Sequence, residues 1–361
     1  MDADRPIVDP HHHLWPAGDR VGYALDDLNA DTGSGHHVIG TVFIECGAAH
    51  RSDGPESLRV VGETEFVAEA AAASRTRGGA PILGIVGAAD LRGARVDEVL
   101  ARHVEAGRGL FRGIRHAAAW DASDAIRPSH HHPPPELYID AAFRAGFGCL
   151  APAGLTFDAW LFHPQIPELT DLARAFPDTR IVVDHFGGPL GIGPYANDRE
   201  GVFRSWRRDV APLAACPNVF IKLGGMAMPI NGYGWHKPPG RSPTSEEFVQ
   251  AQGDYYRAAI DLFGPSRSMF ESNFPVDRSS LSYRVLWNAF KRIAEPFNDT
   301  EKDAMFRGAA ADFYRLAECR NSSFPGNPRS CALEGSTPEP HGRSTFVTQR
   351  GRRRHAEKNR C

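Results

Sequence analysis

Short apolar runs recur along residues 1–319, each followed by a stretch long enough for a helix and a loop. The alternation predicts strands at Ile7–His11, Thr41–Glu45, Ile82–Val86, Phe111–Arg115, Thr156–Trp160, Ile181–His185, Val219–Leu223 and Ser268–Asn273. Apolar positions at helical spacing fill the gaps, predicting helices over Glu56–Ser74, Val96–Ala106, Glu136–Ala145, Pro167–Phe176, Gly201–Ala215 and Ser245–Phe263. Two more are expected near Ser282–Ile293 and Thr300–Leu316. Ser245 with Glu246 and Glu247 supplies a cap and first-turn acids, and Gly264-Pro265 stops that helix. Eight strands alternating with helices predict an α/β protein built as a single (β/α)8 TIM barrel. An open doubly wound sheet would need a Gly-rich phosphate loop after the first strand, and His11-His12-His13 stands there instead.

Charge divides the chain at residue 320. Residues 320–361 carry nine Lys/Arg against three Asp/Glu and no apolar periodicity, including Arg350-Gly351-Arg352-Arg353-Arg354. That stretch is expected to be a disordered basic C-terminal tail, since it has too little apolar surface for a core. The body holds 32 basic against 41 acidic residues, which argues against nucleic-acid binding over a broad surface. No apolar run reaches membrane-span length and no signal-peptide pattern opens the chain, so a cytoplasmic protein is expected, alone or as a homo-oligomer, with a small-molecule rather than a membrane partner. The six cysteines form no CxxC pair, which points to incidental thiols.

The candidate chemistry begins at Asp9-Pro10-His11-His12-His13-Leu14-Trp15, which closes the first apolar run. On a regular strand Asp9, His11 and His13 share one face and His12 takes the other. Paired imidazoles at a strand's C-terminal end suit a metal ion or a substrate, and that end is where a barrel carries out chemistry. The other strands also end in ionisable residues: Glu45, Arg115-His116, Asp158 with His163 beyond it, Asp184-His185, Lys222, and Glu271 with Asn273 and Asp277. Solvation accounts for one such residue but poorly for all of them, because barrel interiors are otherwise branched and apolar. Asp9, Glu45, Asp158 and Glu271 would outnumber Arg115 and Lys222 inside, which supports a bound divalent cation, zinc or manganese, on His11, His13 and His185. Three long loops follow strand ends: Asp121–Pro135 with His130-His131-His132, Gly187–Asn197, and Gly224–Pro243 with Tyr233, Trp235 and His236. The aromatic residues of the third suit a lid over a small organic molecule.

The ordered set Asp9-x-His11-x-His13-x-Trp15, Phe111-Arg112-Gly113-Ile114-Arg115-His116, Asp184-His185-x-Gly187-Gly188-Pro189, Asn218-Val219-x-x-Lys222-Leu223-Gly224-Gly225 and Ser272-Asn273-Phe274-Pro275 resembles the amidohydrolase-related family of barrel hydrolases, in its lactonase-like branch. The resemblance spans roughly residues 6–316. It implies water attack on an ester-like carbonyl polarised by His11, His13 and His185, or by a metal that they bind. Arg115 would anchor a carboxylate or lactone oxygen, with His116, Tyr233, Trp235 and His236 around the substrate. Lys222 would stabilise developing negative charge. The family has Asp where this chain has Asn273, and an amide cannot act as a base near neutral pH. Asp277 is then the candidate for proton transfer, and Glu271 for a buried ionic role with Lys222 or Arg115. The expected activity is hydrolysis of a small carboxylate-bearing or sugar-derived lactone. The alternatives are a metal-dependent decarboxylase of a small aromatic or muconate-like acid and a non-catalytic ligand-binding barrel.

Overall fold

The computed structural model describes residues 2–237 and 241–317; the tail expected beyond residue 320 lies outside them. Eight strands, β1 (Ile7–His12), β2 (Val38–Ile44), β3 (Ile82–Ala88), β4 (Phe111–Arg115), β5 (Thr156–Ala159), β6 (Ile181–Val183), β7 (Val219–Leu223) and β8 (Ser268–Phe270), pair in chain order, all parallel. The helices between them are α1 (Leu25–Thr32), α2 (Val61–Thr76), α3 (Val96–Ala106), α4 (Ala141–Phe147), α5 (Ile166–Ala175), α6 (Arg199–Ala214), α7 (Ser245–Phe263) and α8 (Tyr283–Ile293). The barrel is therefore the (β/α)8 architecture that the apolar pattern predicts. No helix among the described residues is long and apolar enough to cross a membrane.

Side chains alternate between two apolar layers. Val8, Val42, Ile44, Val86, Val182 and Met269 pack together inside the barrel, joined by Phe313 and Tyr314 from the end of the last described helical segment. Ile7, Phe43, Ile85, Ile114, Ile181 and Phe270 pack outward under the helices. Each strand thus buries both faces, as parallel strands under crossover helices must.

Local chemistry moves several boundaries from their expected places. Asp140 accepts the Phe143 amide at 2.8 Å, capping α4 and splitting the expected helix Glu136–Ala145 into a 3-10 turn, Leu137–Ile139, and α4 itself. The cap of α7 is Thr244 rather than Ser245. Its Oγ1 accepts the Glu247 amide at 3.2 Å, while Glu247 Oε2 accepts the Thr244 amide at 2.8 Å, a reciprocal capping box. The short helix α1 carries no strong apolar stripe and was not expected.

Strand β1 departs from regular alternation. Asp9 stands opposite Thr41 but His12 opposite Phe43, so three steps on β1 meet two on β2. This bulge reverses the side-chain parity between Asp9 and His11. Asp9 faces the outer layer, where its carboxylate accepts the Ser272 amide at 2.9 Å and the Tyr283 hydroxyl at 3.0 Å. The expectation that Asp9 shares the inner face with His11 is corrected on this point. The bulge also shapes the seam, where β8 ends early at Phe270. Closure onto β1 runs instead through the irregular residues 272–274: Asn273 N–H donates to His11 O at 3.0 Å and His13 N–H to Phe274 O at 2.8 Å.

Candidate active site

Residues at the ends of successive strands converge at the C-terminal mouth of the barrel. Lys222 follows Phe220 by two on β7, Asp184 follows Val182 by two beyond β6, and Glu271 follows Met269 by two beyond β8, so all three inherit an inward direction. His11 joins them through the β1 bulge. Lys222 Nζ lies 2.6 Å from Asp158 Oδ1, 2.9 Å from Asp184 Oδ1 and 3.1 Å from His11 Nδ1. Arg115 Nε donates to Glu45 Oε1 at 2.7 Å, its Nη2 reaches the Glu45 carbonyl, and its Nη1 lies 3.4 Å from both Asp184 Oδ2 and His11 Nε2. His185 Nδ1 is hydrogen-bonded to Glu271 Oε1 at 2.6 Å. All of these groups are buried.

Two glycines make this convergence sterically possible. A Cβ on Gly225, whose φ is +66°, would overlap the His185 ring, and one on Gly224 would overlap Glu271. The Lys222-Leu223-Gly224-Gly225 run therefore provides one ammonium and then the space for the neighbouring pair. His185 itself sits at φ +52°, a left-handed turn at the end of β6 that is uncommon for a non-glycine residue.

Burial and charge set the protonation of the cluster. Desolvation pushes His11 down to about 4, with the Lys222 charge acting the same way, and pushes His185 down to about 3, so both imidazoles are neutral at neutral pH. For Asp184 the nearby Lys222 and His11 outweigh burial and hold its carboxyl well below the usual range. Asp158 goes the other way: burial raises it to about 6 despite Lys222. Lys222 remains an ammonium, because Asp158, Asp184 and Glu271 overcome its own desolvation. Burial also opposes ionisation of Glu45, but Arg115 prevails and holds it well below its ordinary value.

One group of donor atoms here suits a metal ion: atoms of His11, His185 and Glu271 lie within 4.8 Å of one another. Glu271 Oε2 is buried without a hydrogen bond, although His11 Nδ1 is only 2.8 Å away. Two neutral imidazoles and a carboxyl with a free oxygen fit a divalent cation. His13 is not in this group. Its Nδ1 donates to Ile44 O at 2.8 Å and its ring meets His11 edge-on, with centroids 5.0 Å apart.

The remaining sequence candidates are dispersed. Asn273 donates its side-chain N–H to Asp277 Oδ1 at 3.1 Å, and Asp277 Oδ2 accepts the Ala227 amide at 3.2 Å. Burial raises Asp277 to about 8, which leaves it protonated and a poor base at neutral pH. Glu271 pairs with His185 and His11 rather than with Lys222 or Arg115 as expected. His116 takes the Leu91 amide on Nδ1 and lines a separate pocket of about 200 Å³ with His50, Asp90, Arg92 and His131. His163 accepts the Leu190 amide and meets Tyr195 edge-on, outside the donor group. Tyr233 and Trp235 stack at 4.8 Å and pack against α7, with the Tyr233 hydroxyl on Ala251 O and Trp235 beside Phe248. His236 is half-buried in the same loop. None of these three contacts the His11–His185 cluster in the described structure. Sequence reasoning left Asp184 out of the interior charge count, although its spacing of two from Val182 signals it. It also missed Trp160, whose ring meets His185 edge-on at 4.9 Å.

A family model described as amidohydrolase matches residues 8–316. The uncharacterized protein y4mH of Sinorhizobium fredii is 32% identical over 335 residues, covering 87% of this chain and 100% of its own length. An L-fucono-1,5-lactonase of Burkholderia multivorans is 30% identical over 258 residues, 71% of this chain and 77% of the lactonase. Among solved structures, an amidohydrolase from Burkholderia multivorans with bound zinc matches with a TM-score of 0.66 and 25% identity, over 86% of this chain and 99% of that one.

Proposed function

This chain belongs to the amidohydrolase family and is a hydrolase, and from that premise we propose that it opens a small sugar-derived lactone by adding water to the ring carbonyl. The observation that carries this reading is the His185–Glu271 hydrogen bond beside the Lys222 ammonium at the barrel mouth. The lactonase names of relatives 30% and 27% identical support the substrate class.

In this reading Glu271 takes the Nδ1–H of His185, fixing the tautomer in which Nε2 is free to accept a proton. His185 Nε2 removes a proton from water as the water oxygen bonds to the carbonyl carbon. Lys222 and Arg115 supply fixed positive charge as the carbonyl oxygen becomes negative. The ring C–O bond then breaks, and the proton passes from His185 to the leaving alkoxide, giving a hydroxy acid. Asn273 and Asp277 are no part of the proton transfer, because the first has no basic group and the second is already protonated. A divalent cation held by His11, His185 and Glu271 would replace the His185–Glu271 hydrogen bond, and it would then supply carbonyl polarisation and a bound water of lowered pKa in place of His185 as the base.

The test is a panel of five- and six-membered aldonolactones followed by acid release, with carbon dioxide release from small aromatic and unsaturated acids measured in parallel. Acid release from at least one aldonolactone supports the proposal. Carbon dioxide release from an acid with no lactone opened overturns it in favour of decarboxylation, and tight binding without turnover overturns it in favour of a ligand-binding barrel.

A further inference from the structure

A second imidazole–carboxylate group stands apart from the inner cluster. Glu45, at the end of β2, faces the long loop 121–135 that crosses the barrel rim. Its Oε1 is taken by Arg115, but its Oε2 lies 3.0 Å from His130 Nε2 and 3.5 Å from His131 Nε2. One donor atom from each of the three residues lies within 4.8 Å of the other two. Tetrahedral bonds of about 2.0–2.1 Å place ligand atoms about 3.3 Å apart, and the two observed spacings bracket that value.

His131 faces the same carboxylate oxygen without a good hydrogen bond to it. Its Nδ1 is buried without a hydrogen-bond partner, and its Nε2 stands too far from Glu45 for a good hydrogen bond. An imidazole nitrogen held 3.5 Å from a carboxylate oxygen is spaced for a shared cation rather than for a direct hydrogen bond. The rings of His130 and His131 are 4.0 Å apart, so both are already held beside the same carboxylate oxygen.

We propose that Glu45, His130 and His131 form a second divalent-cation site, which pins the loop 121–135 to the barrel rim. The ion takes one oxygen of Glu45 and one nitrogen from each imidazole, leaving a coordination position for water. Because the other Glu45 oxygen holds Arg115, and Arg115 touches His11 and Asp184, only Glu45 and Arg115 stand between the rim ion and the inner pair His11 and Asp184.

The experiment compares the full chain with its His130→Gln/His131→Gln variant, each metal-stripped, loaded with zinc and dialysed before elemental analysis. The variant is expected to hold one zinc fewer per chain than wild type, whatever the wild-type total, so the result is independent of the inner group. Single His130→Gln, at an exposed position, is expected to weaken zinc affinity more than about tenfold, measured by chelator competition. The d–d absorption of the cobalt-loaded chain should lose one component in the double variant. Equal zinc content and unchanged cobalt spectra in wild type and variant overturn the proposal, as does a wild type that retains no zinc.

Discussion

Asp9 Oδ1 accepts the Ser272 amide at 2.9 Å, bridging the one boundary of the barrel that lacks a continuous strand ladder. Its other oxygen takes the Tyr283 hydroxyl of α8, so one carboxyl ties β1, the segment after β8 and the outer helix together. The segment it holds carries Glu271 and Asn273, which makes Asp9 a positioning residue. Asp9→Ala strands a buried amide and a buried hydroxyl, at about 1–3 kcal/mol each. The expected result is a Tm lower by roughly 2–10 °C, together with a fall in kcat as Glu271 shifts from His185. Thermal melting and steady-state kinetics of the same preparation check both.

Arg115 is held by Glu45 and Asp184, so its removal leaves the buried Glu45 carboxyl without its cation and Asp184 with Lys222 alone. Arg115→Met is expected to destabilise the fold by about 3–5 kcal/mol in denaturant titration. Arg115→Lys keeps the charge but loses the planar fork, so its stability should fall less. If Arg115→Lys raised KM with no change in Tm, the guanidinium would be chiefly a substrate anchor.

Asp277 carries a pH signature. Its folded value, about 8, lies above the ordinary 3.8, so the native state binds the proton more tightly than the unfolded chain. Its contribution is fully present below about pH 4 and is lost as pH rises through about 8. The Tm of wild type minus that of Asp277→Asn should therefore decline from pH 5 to pH 8. A difference that stays flat across that range would mean that Asp277 is ionised in the folded protein.

Asn273→Asp replaces a donor to Asp277 with a second carboxyl at hydrogen-bonding distance. The two acids then share a proton, and stability and turnover should fall together, more at pH 8 than at pH 6. Adding Asp277→Asn restores a donor–acceptor pair and should recover most of the loss, a coupling that a double-mutant cycle reads directly.

The barrel was legible in the sequence because each strand is a short apolar run with both faces buried, a signal that depends only on neighbouring residues. The converging polar ends were legible for the same reason, since Lys222, Asp184 and Glu271 continue the inward parity of Phe220, Val182 and Met269. Parity failed at Asp9, where the bulge is set by pairing with β2 and leaves no mark on β1 alone. The partners of the loop residues were equally hidden. His130 and His131 meet Glu45 from 85 and 86 positions away, and Tyr233 and Trp235 turn to α7 rather than to the mouth. Loop composition indicates what a segment can bind, and only the folded barrel decides what it meets.

In the proposed reaction Glu271 orients His185 for proton transfer during lactone opening. The most direct measurement is kcat/KM of wild type, Glu271→Gln and His185→Asn on the best aldonolactone of the panel, with Tm and zinc content measured on the same samples. His185→Asn is expected to lose about 10²–10⁴-fold, Glu271→Gln a substantial part of that factor, and the double variant little more than His185→Asn alone. Lactone opening at the wild-type rate by folded His185→Asn, or losses that multiply in the double variant, would contradict a proton transfer through this pair.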